Sequence, residues 1–169
     1  MEVPLFLDSL EQYSLIVWFR ESQSLFAYYF VLMLHTIGLS LIVGPNAAID
    51  LRLLGVAREI PIAPMKRWFG LMWFGLALNA VSGILLALTY PVKTFTNPMF
   101  YVKLILIGFA VVVLQKIKAA VFADPAEIDV VPPTAKTLAI WSLVLWASVL
   151  GAGRLLAYTC NYLLYAVPC

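Results

Sequence analysis

LFAYYFVLMLHTIGLSLIV, residues 25–43, is a nineteen-residue run without a charged side chain. As a helix it would rise about 28 Å, close to the roughly 30 Å hydrocarbon thickness of a bilayer. Near its middle stands His35, the single histidine of the chain. A titratable side chain at that depth costs free energy unless something offsets it, which makes it a functional-site candidate. Imidazole is also the commonest side-chain metal ligand.

The rest of the sequence repeats the apolar theme. Of 169 residues, 63% are hydrophobic and only 12% charged, about half the charged fraction of a soluble domain; the mean hydropathy is +0.96. The surplus apolar surface must face lipid. The net charge of +2 forms no basic stripe of the kind that binds nucleic acid, so no nucleic-acid partner is expected. Met1-Glu2-Val3-Pro4 lacks a positive n-region, and Asp8 and Glu11 interrupt any apolar core there, so no cleaved secretory signal is expected.

These features predict an all-α polytopic membrane protein with four transmembrane helices in an antiparallel bundle. Residues 1–23 form an N-terminal amphipathic helix lying in the interface, with Phe6, Leu10, Tyr13 and Val17 at helical spacing and Trp18 at headgroup level. Residues 24–160 form the transmembrane domain, with spans at about 24–46, 68–90, 99–116 and 136–158. Pro45 and Asn46 are candidate terminators of the first span; alternatively, since apolar residues continue through Ile49, Leu51, Leu53 and Leu54, the helix extends past the membrane to Gly55. Residues 161–169 form a short tail. The loops after spans one and three, with their flanking helix ends, carry Arg52, Arg58, Lys66, Arg67, Lys116, Lys118 and Lys136, against Arg20 and Lys93 on the other side. That asymmetry puts those loops in the cytoplasm and both termini outside, in a bacterial inner membrane. Cys160 and Cys169 would then face an oxidising compartment, either as a disulfide or as unrelated thiols.

Four polar side chains fall inside the spans: His35, Asn79, Lys103 and Arg154. His35 and Asn79 sit near mid-span. Lys103 and Arg154 sit roughly 7 Å in from the outer ends. That layout suits a haem b set edge-on between helices, with His35 as axial ligand to iron and Lys103 and Arg154 meeting the propionates. Gly38, one turn from His35, would let the macrocycle approach, and Asn79 or Ser82 would fix the imidazole tautomer. The second axial position has no single owner: Met33, Met72, neutral Lys103, an added ligand, an open site and the His35 of a second protomer all remain. Plainer readings stand beside this one. His35 is equally readable as helix-packing glue bonded to Asn79 or Ser148, or as a proton-relay or quinone-site histidine. Lys103 and Arg154 are within reach of the interface by snorkelling, and Asp50 and Arg52 read as a local pair or helix cap.

The run Leu34-His35-Thr36-Ile37-Gly38, then Asp50-Leu51-Arg52-Leu53-Leu54-Gly55, then Asn97, Phe100 and Lys103 in an Asn-x-x-Phe-x-x-Lys pattern, then Gly153-Arg154, resembles an uncharacterised family of small bacterial integral membrane proteins. More distantly, a histidine in the first span with a lysine early in a later one is similar to the membrane protoporphyrinogen oxidases and copper-resistance D-type proteins. That second resemblance implies haem b on His35 and an essential role for Lys103. The oxidase pattern has Trp-Leu before its lysine, where this chain has Tyr101-Val102. The leading expectation is therefore a haem b-binding protein in membrane electron transfer, exchanging electrons with a quinone or a redox protein. The alternatives are a cofactor-free assembly subunit of a homo-oligomer or larger membrane complex, and a small-molecule or ion permease.

Overall fold

The computed structural model describes residues 6–7, 9, 12–21, 28–122 and 131–158. Every regular element among the described residues is helical. A short helix α1 (Ser14–Glu21) precedes α2 (Tyr28–Leu53), and a 3-10 turn (Ala63–Arg67) runs directly into α3 (Trp68–Thr89). A six-residue helix α4 (Pro91–Thr96) links α3 to α5 (Pro98–Phe122), and α6 (Pro133–Tyr158) follows. Four of these stretches are long and apolar enough to cross a membrane, which makes the chain a multi-pass membrane protein. Phe74, Val81, Ile84, Ile105, Phe109 and Trp141 are more than half exposed along them, as a lipid-facing surface requires. Cys160 and Cys169, with the tail, lie outside the described residues.

Helix limits follow local chemistry. Of the two ends the sequence left open for the first helix, α2 takes the later one and continues through Pro45 to Leu53. A proline removes one i→i−4 bond and normally ends or kinks a helix. Here the residues beyond it, Asn46, Ile49, Asp50 and Leu53, are buried against neighbouring helices, and that packing carries the helix on. It ends instead at Gly55, whose φ is 99°. Gly55 N–H donates to Arg52 O and Val56 N–H to Leu51 O, the paired bonds of a Schellman cap. One helix departs from the sequence expectation: α5 reaches Phe122 rather than stopping near Lys116, because Ile117, Val121 and Phe122 are buried in the core. Asn97 starts that helix: its Oδ1 accepts the Met99 N–H at 2.9 Å, an N-cap contact.

The bundle is two antiparallel hairpins. α2 packs along α3, α5 packs along α6, and the hairpins meet mainly through α2 and α6. Gly38 and Gly75 set the α2–α3 spacing. A Cβ on Gly38 would sit 2.8 Å from Asn79 N and 3.0 Å from Gly75 O, and one on Gly75 would sit 2.9 Å from Gly38 O. Two small residues thus let the backbones touch, as membrane helices commonly do.

At the Leu53 end the hairpins close over a shared core of Ile49, Leu53, Phe69, Met72, Leu114 and Ile117. There α3 reaches α5 directly, with the Phe69 and Phe122 rings 5.3 Å apart and edge-on. A smaller cluster of Ile42, Ala110, Trp146 and Val149 lies mid-bundle. Towards the Tyr28 end, α3 and α5 face each other across a cavity instead, with α4 along its rim.

Candidate functional site

The cavity measures about 580 Å³, within the range of small-molecule sites. Its walls are mostly apolar, with Leu76, Ile84, Phe95, Phe100 and Ile107 among them. Three polar side chains on three different elements of the wall are those singled out from the sequence: His35 from α2, Asn79 from α3 and Lys103 from α5. Residues far apart in the chain converge here because both hairpins are antiparallel. The early part of α2 therefore lies level with the late part of α3, and the early part of α5 with the late part of α6.

His35 is held by a reciprocal clasp. Its Nδ1 lies 3.1 Å from the Asn79 carbonyl oxygen and 3.1 Å from Ser82 Oγ. In return, Asn79 Nδ2 donates to the His35 carbonyl at 2.8 Å. A carbonyl can only accept, and the Ser82 hydroxyl donates to Leu78 O at 2.6 Å. This network assigns the hydrogen to Nδ1, so a neutral ring keeps its lone pair on Nε2. Gly83 gives the ring room: a Cβ there would lie 3.1 Å from His35 Cε1. Ser148, the other sequence-stated partner for His35, is exposed and donates to Val144 O within its own helix instead.

Lys103 lines the same cavity from one and a half turns inside α5. Its Nζ makes no hydrogen bond or ion pair with a described residue. It lies beside the α6 backbone, where a Cβ on Gly153 would be 3.8 Å from Nζ. The Asn-x-x-Phe-x-x-Lys pattern now has a physical reading. Asn97 caps α5, and Phe100 and Lys103, on successive turns of one face, both point into the cavity.

The other candidates fall elsewhere. Gly38 is at the α2–α3 crossing, and its small size is used against the α3 backbone rather than at the cavity wall. Arg154 is exposed on the bundle surface and is not part of the cavity wall, although its neighbour Gly153 is. Met33 is exposed and Met72 is buried in the Leu53-end core, so neither lines the cavity. Tyr28, Gly83, Lys93 and the rim helix α4 are wall elements the sequence reading did not single out. Only the proline at each end of residues 91–98 hinted that this connection holds a helix, since proline is favoured at the first helical position.

Asp50 and Arg52 do not pair. Arg52 Nε donates to Ile60 O at 2.6 Å and its Nη2 to Arg58 O at 2.8 Å, which stitches the following loop to the helix end. Asp50 is fully buried and is bonded by Asn46 Nδ2 at 2.6 Å.

The residues fit a haem b by their donor chemistry. A single imidazole has its Nδ1–H anchored to a backbone carbonyl and its Nε2 free for iron, an arrangement usual for metal-bound histidine. It stands on an apolar cavity shared with Lys103, which has no protein counter-charge among the described residues. No curated protein and no solved structure matches the chain. The profile of one family matches residues 13–159, nearly the whole described structure, and the chain belongs to that family, the family of unknown function DUF6644.

Proposed function

We propose that this protein binds one haem b in the cavity between α3 and α5 and serves in membrane electron transfer. The observation that carries the reading is the orientation of His35, whose Nδ1 is tied to Asn79 O and Ser82 Oγ while the ring borders a cavity of about 580 Å³. Helix packing alone is a weak reason to keep an imidazole there. Interhelical hydrogen bonds in membrane proteins average only about 0.6 kcal/mol, so the clasp returns little on its own. An unpaired lysine inside a membrane costs more, about 2.5–3.5 kcal/mol at the centre of a span and less towards its end. An anionic group brought beside Lys103 offsets that cost.

In this reading Asn79 and Ser82 hold the His35 ring in one tautomer and orientation. Nε2 is the iron ligand. Lys103 holds the propionate end, and the apolar wall excludes water from the macrocycle. Haem, when bound, supplies reversible one-electron chemistry, and its axial ligand and surroundings set the potential. The excess of basic residues at the Leu53 end supports an orientation with that end in the cytoplasm of a bacterial inner membrane and the cavity in the outer leaflet. Electron exchange with a quinone or a redox protein is then expected from the Tyr28 side. The order of His35 and Lys103 along the chain, which distantly resembles that of the membrane protoporphyrinogen oxidases, points to the same reading.

The test is haem titration of the apo-protein in detergent or nanodiscs. Wild type is expected to bind one equivalent with a Soret shift. His35→Ala is expected to lose that shift while still inserting in the membrane, and Lys103→Met to bind more weakly with the same spectral form. Equal titration curves for wild type and His35→Ala would refute the assignment.

A further inference from the structure

A second polar site lies at the opposite end of the bundle, between α2 and α6, and the haem reading does not use it. Asp50 is 0% exposed, Ser142 0% and Asn46 1%. Asn46 Nδ2 lies 2.6 Å from Asp50 Oδ2 and 2.7 Å from Ser142 Oγ, so one amide bridges the two helices. The other carboxyl oxygen, Oδ1, is buried with no hydrogen-bond partner among the described residues. The indole Nε1 of Trp146, one turn along α6 from Ser142, is likewise buried and unpartnered.

No charged group among the described residues faces this carboxyl. From α2 it meets Asn46, and from α6 it meets Ser142. The neighbouring core contributed by α3 and α5 is Phe69, Met72, Leu114 and Ile117, all apolar. The nearest basic residue in sequence, Arg52, is turned away to the carbonyls of Arg58 and Ile60, and Lys118 lies over the Phe69 ring at 5.5 Å. An ionised carboxylate without a counter-charge is very costly in such surroundings, and such a group neutralises instead. A dehydrated metal cation would need a cage of oxygen ligands, which two neutral side chains do not supply.

We propose that Asp50, with Asn46 and Ser142, is a proton-binding site within the membrane, distinct from the His35 cavity. Fifteen residues of helix separate Asp50 from His35, about 22 Å of rise. The step is a simple protonation. A proton from water at the Leu53 end adds to the Asp50 carboxylate and forms an O–H bond, and no electron moves. Asn46 and Ser142 hold the neutral acid in place. Release of the proton leaves a charge that the α2–α6 interface can accommodate only by admitting water, so occupancy is linked to how tightly the two hairpins close.

The test is infrared spectroscopy of the full-length protein in bilayers at neutral pH, with carboxyl-13C aspartate as the probe. The other aspartates, Asp8, Asp124 and Asp129, are replaced by asparagine, so that Asp50 alone carries the label. The expected result is one isotope-shifted C=O band of a protonated carboxylic acid. Asp50→Asn is expected to abolish it, and Ser142→Ala to shift its frequency by changing the hydrogen bonding. In that background the label identifies the band as that of Asp50, so the result stands even if Asp50→Asn fails to insert. An isotope-edited spectrum with carboxylate bands alone would overturn the proposal.

Discussion

Asn79 and Ser82 act on His35 through its Nδ1, and their replacement separates orientation from ligation. Asn79→Ala removes the amide that grips the His35 carbonyl, and Ser82→Ala removes one of the two acceptors at Nδ1. Loss of such an outer partner typically costs 10–100-fold in metal affinity. Each variant is therefore expected to bind haem about 10–100-fold more weakly than wild type, read as the midpoint of the titration. Unchanged midpoints in both would mean that the clasp does not tune the ligand. The sequence indicated that His35 mattered and that Asn79 or Ser82 were its partners, because polar residues in apolar spans are few and stand out. It could not choose between them, nor exclude Ser148, because that choice depends on which helix faces which. Asp50 was legible only as a charged residue near a helix end. Its burial depends on α2 continuing past Pro45, a consequence of packing rather than of local propensity.

Single glycines carry the geometry at the scale of the helix. A methyl group at Gly38 would meet backbone atoms of α3 at 2.8 and 3.0 Å, and backbone cannot move aside as a side chain can. Gly38→Ala is expected to push α2 from α3 and to destabilise the fold by about 1–3 kcal/mol, the usual cost of overpacking, seen as a lower midpoint in detergent-induced unfolding. Because the same contact brings Asn79 to His35, haem affinity should fall with it. Gly55→Ala is a contrasting case. It places a side chain in the left-handed region, at about 1–2 kcal/mol, but at the far end of the bundle, so stability should fall while haem affinity holds. The number, type and order of the spanning helices were legible from hydropathy. The α4 helix was not, since six residues between prolines carry too little periodicity to distinguish a helix from a turn. Its position on the rim of the cavity makes that short element part of the site.

At the scale of the whole molecule, the bundle has a closed end and an open one. The closed end has the larger apolar core and the buried Asp50 network; the open end has a cavity, the imidazole and the lysine. The proposed orientation, with the Leu53 end in the cytoplasm, rests on the distribution of basic residues. Glu59, in the exposed loop after α2, and Tyr13, exposed before α1, report on the two sides. With Cys160 and Cys169 replaced by serine, Glu59→Cys is expected to react with an impermeant maleimide only after the cells are opened, and Tyr13→Cys in intact cells. The reverse pattern would put the cavity in the cytoplasmic leaflet. The sequence placed His35, Lys103 and Arg154 at compatible depths, but depth is only one coordinate. Rotation of α6 decides that Gly153 lines the cavity while Arg154 is exposed on the bundle surface, and no periodic signal in so uniformly apolar a helix fixes that rotation.

The most direct measurement is the absorption spectrum of protein made in haem-replete cells and purified in mild detergent, oxidised and then reduced with dithionite, with a pyridine haemochrome assay on the same sample. The account predicts a Soret band, sharp α and β bands on reduction and one haem b per chain, all lost in His35→Ala. A colourless preparation from haem-replete cells, with the protein folded and intact, would contradict it.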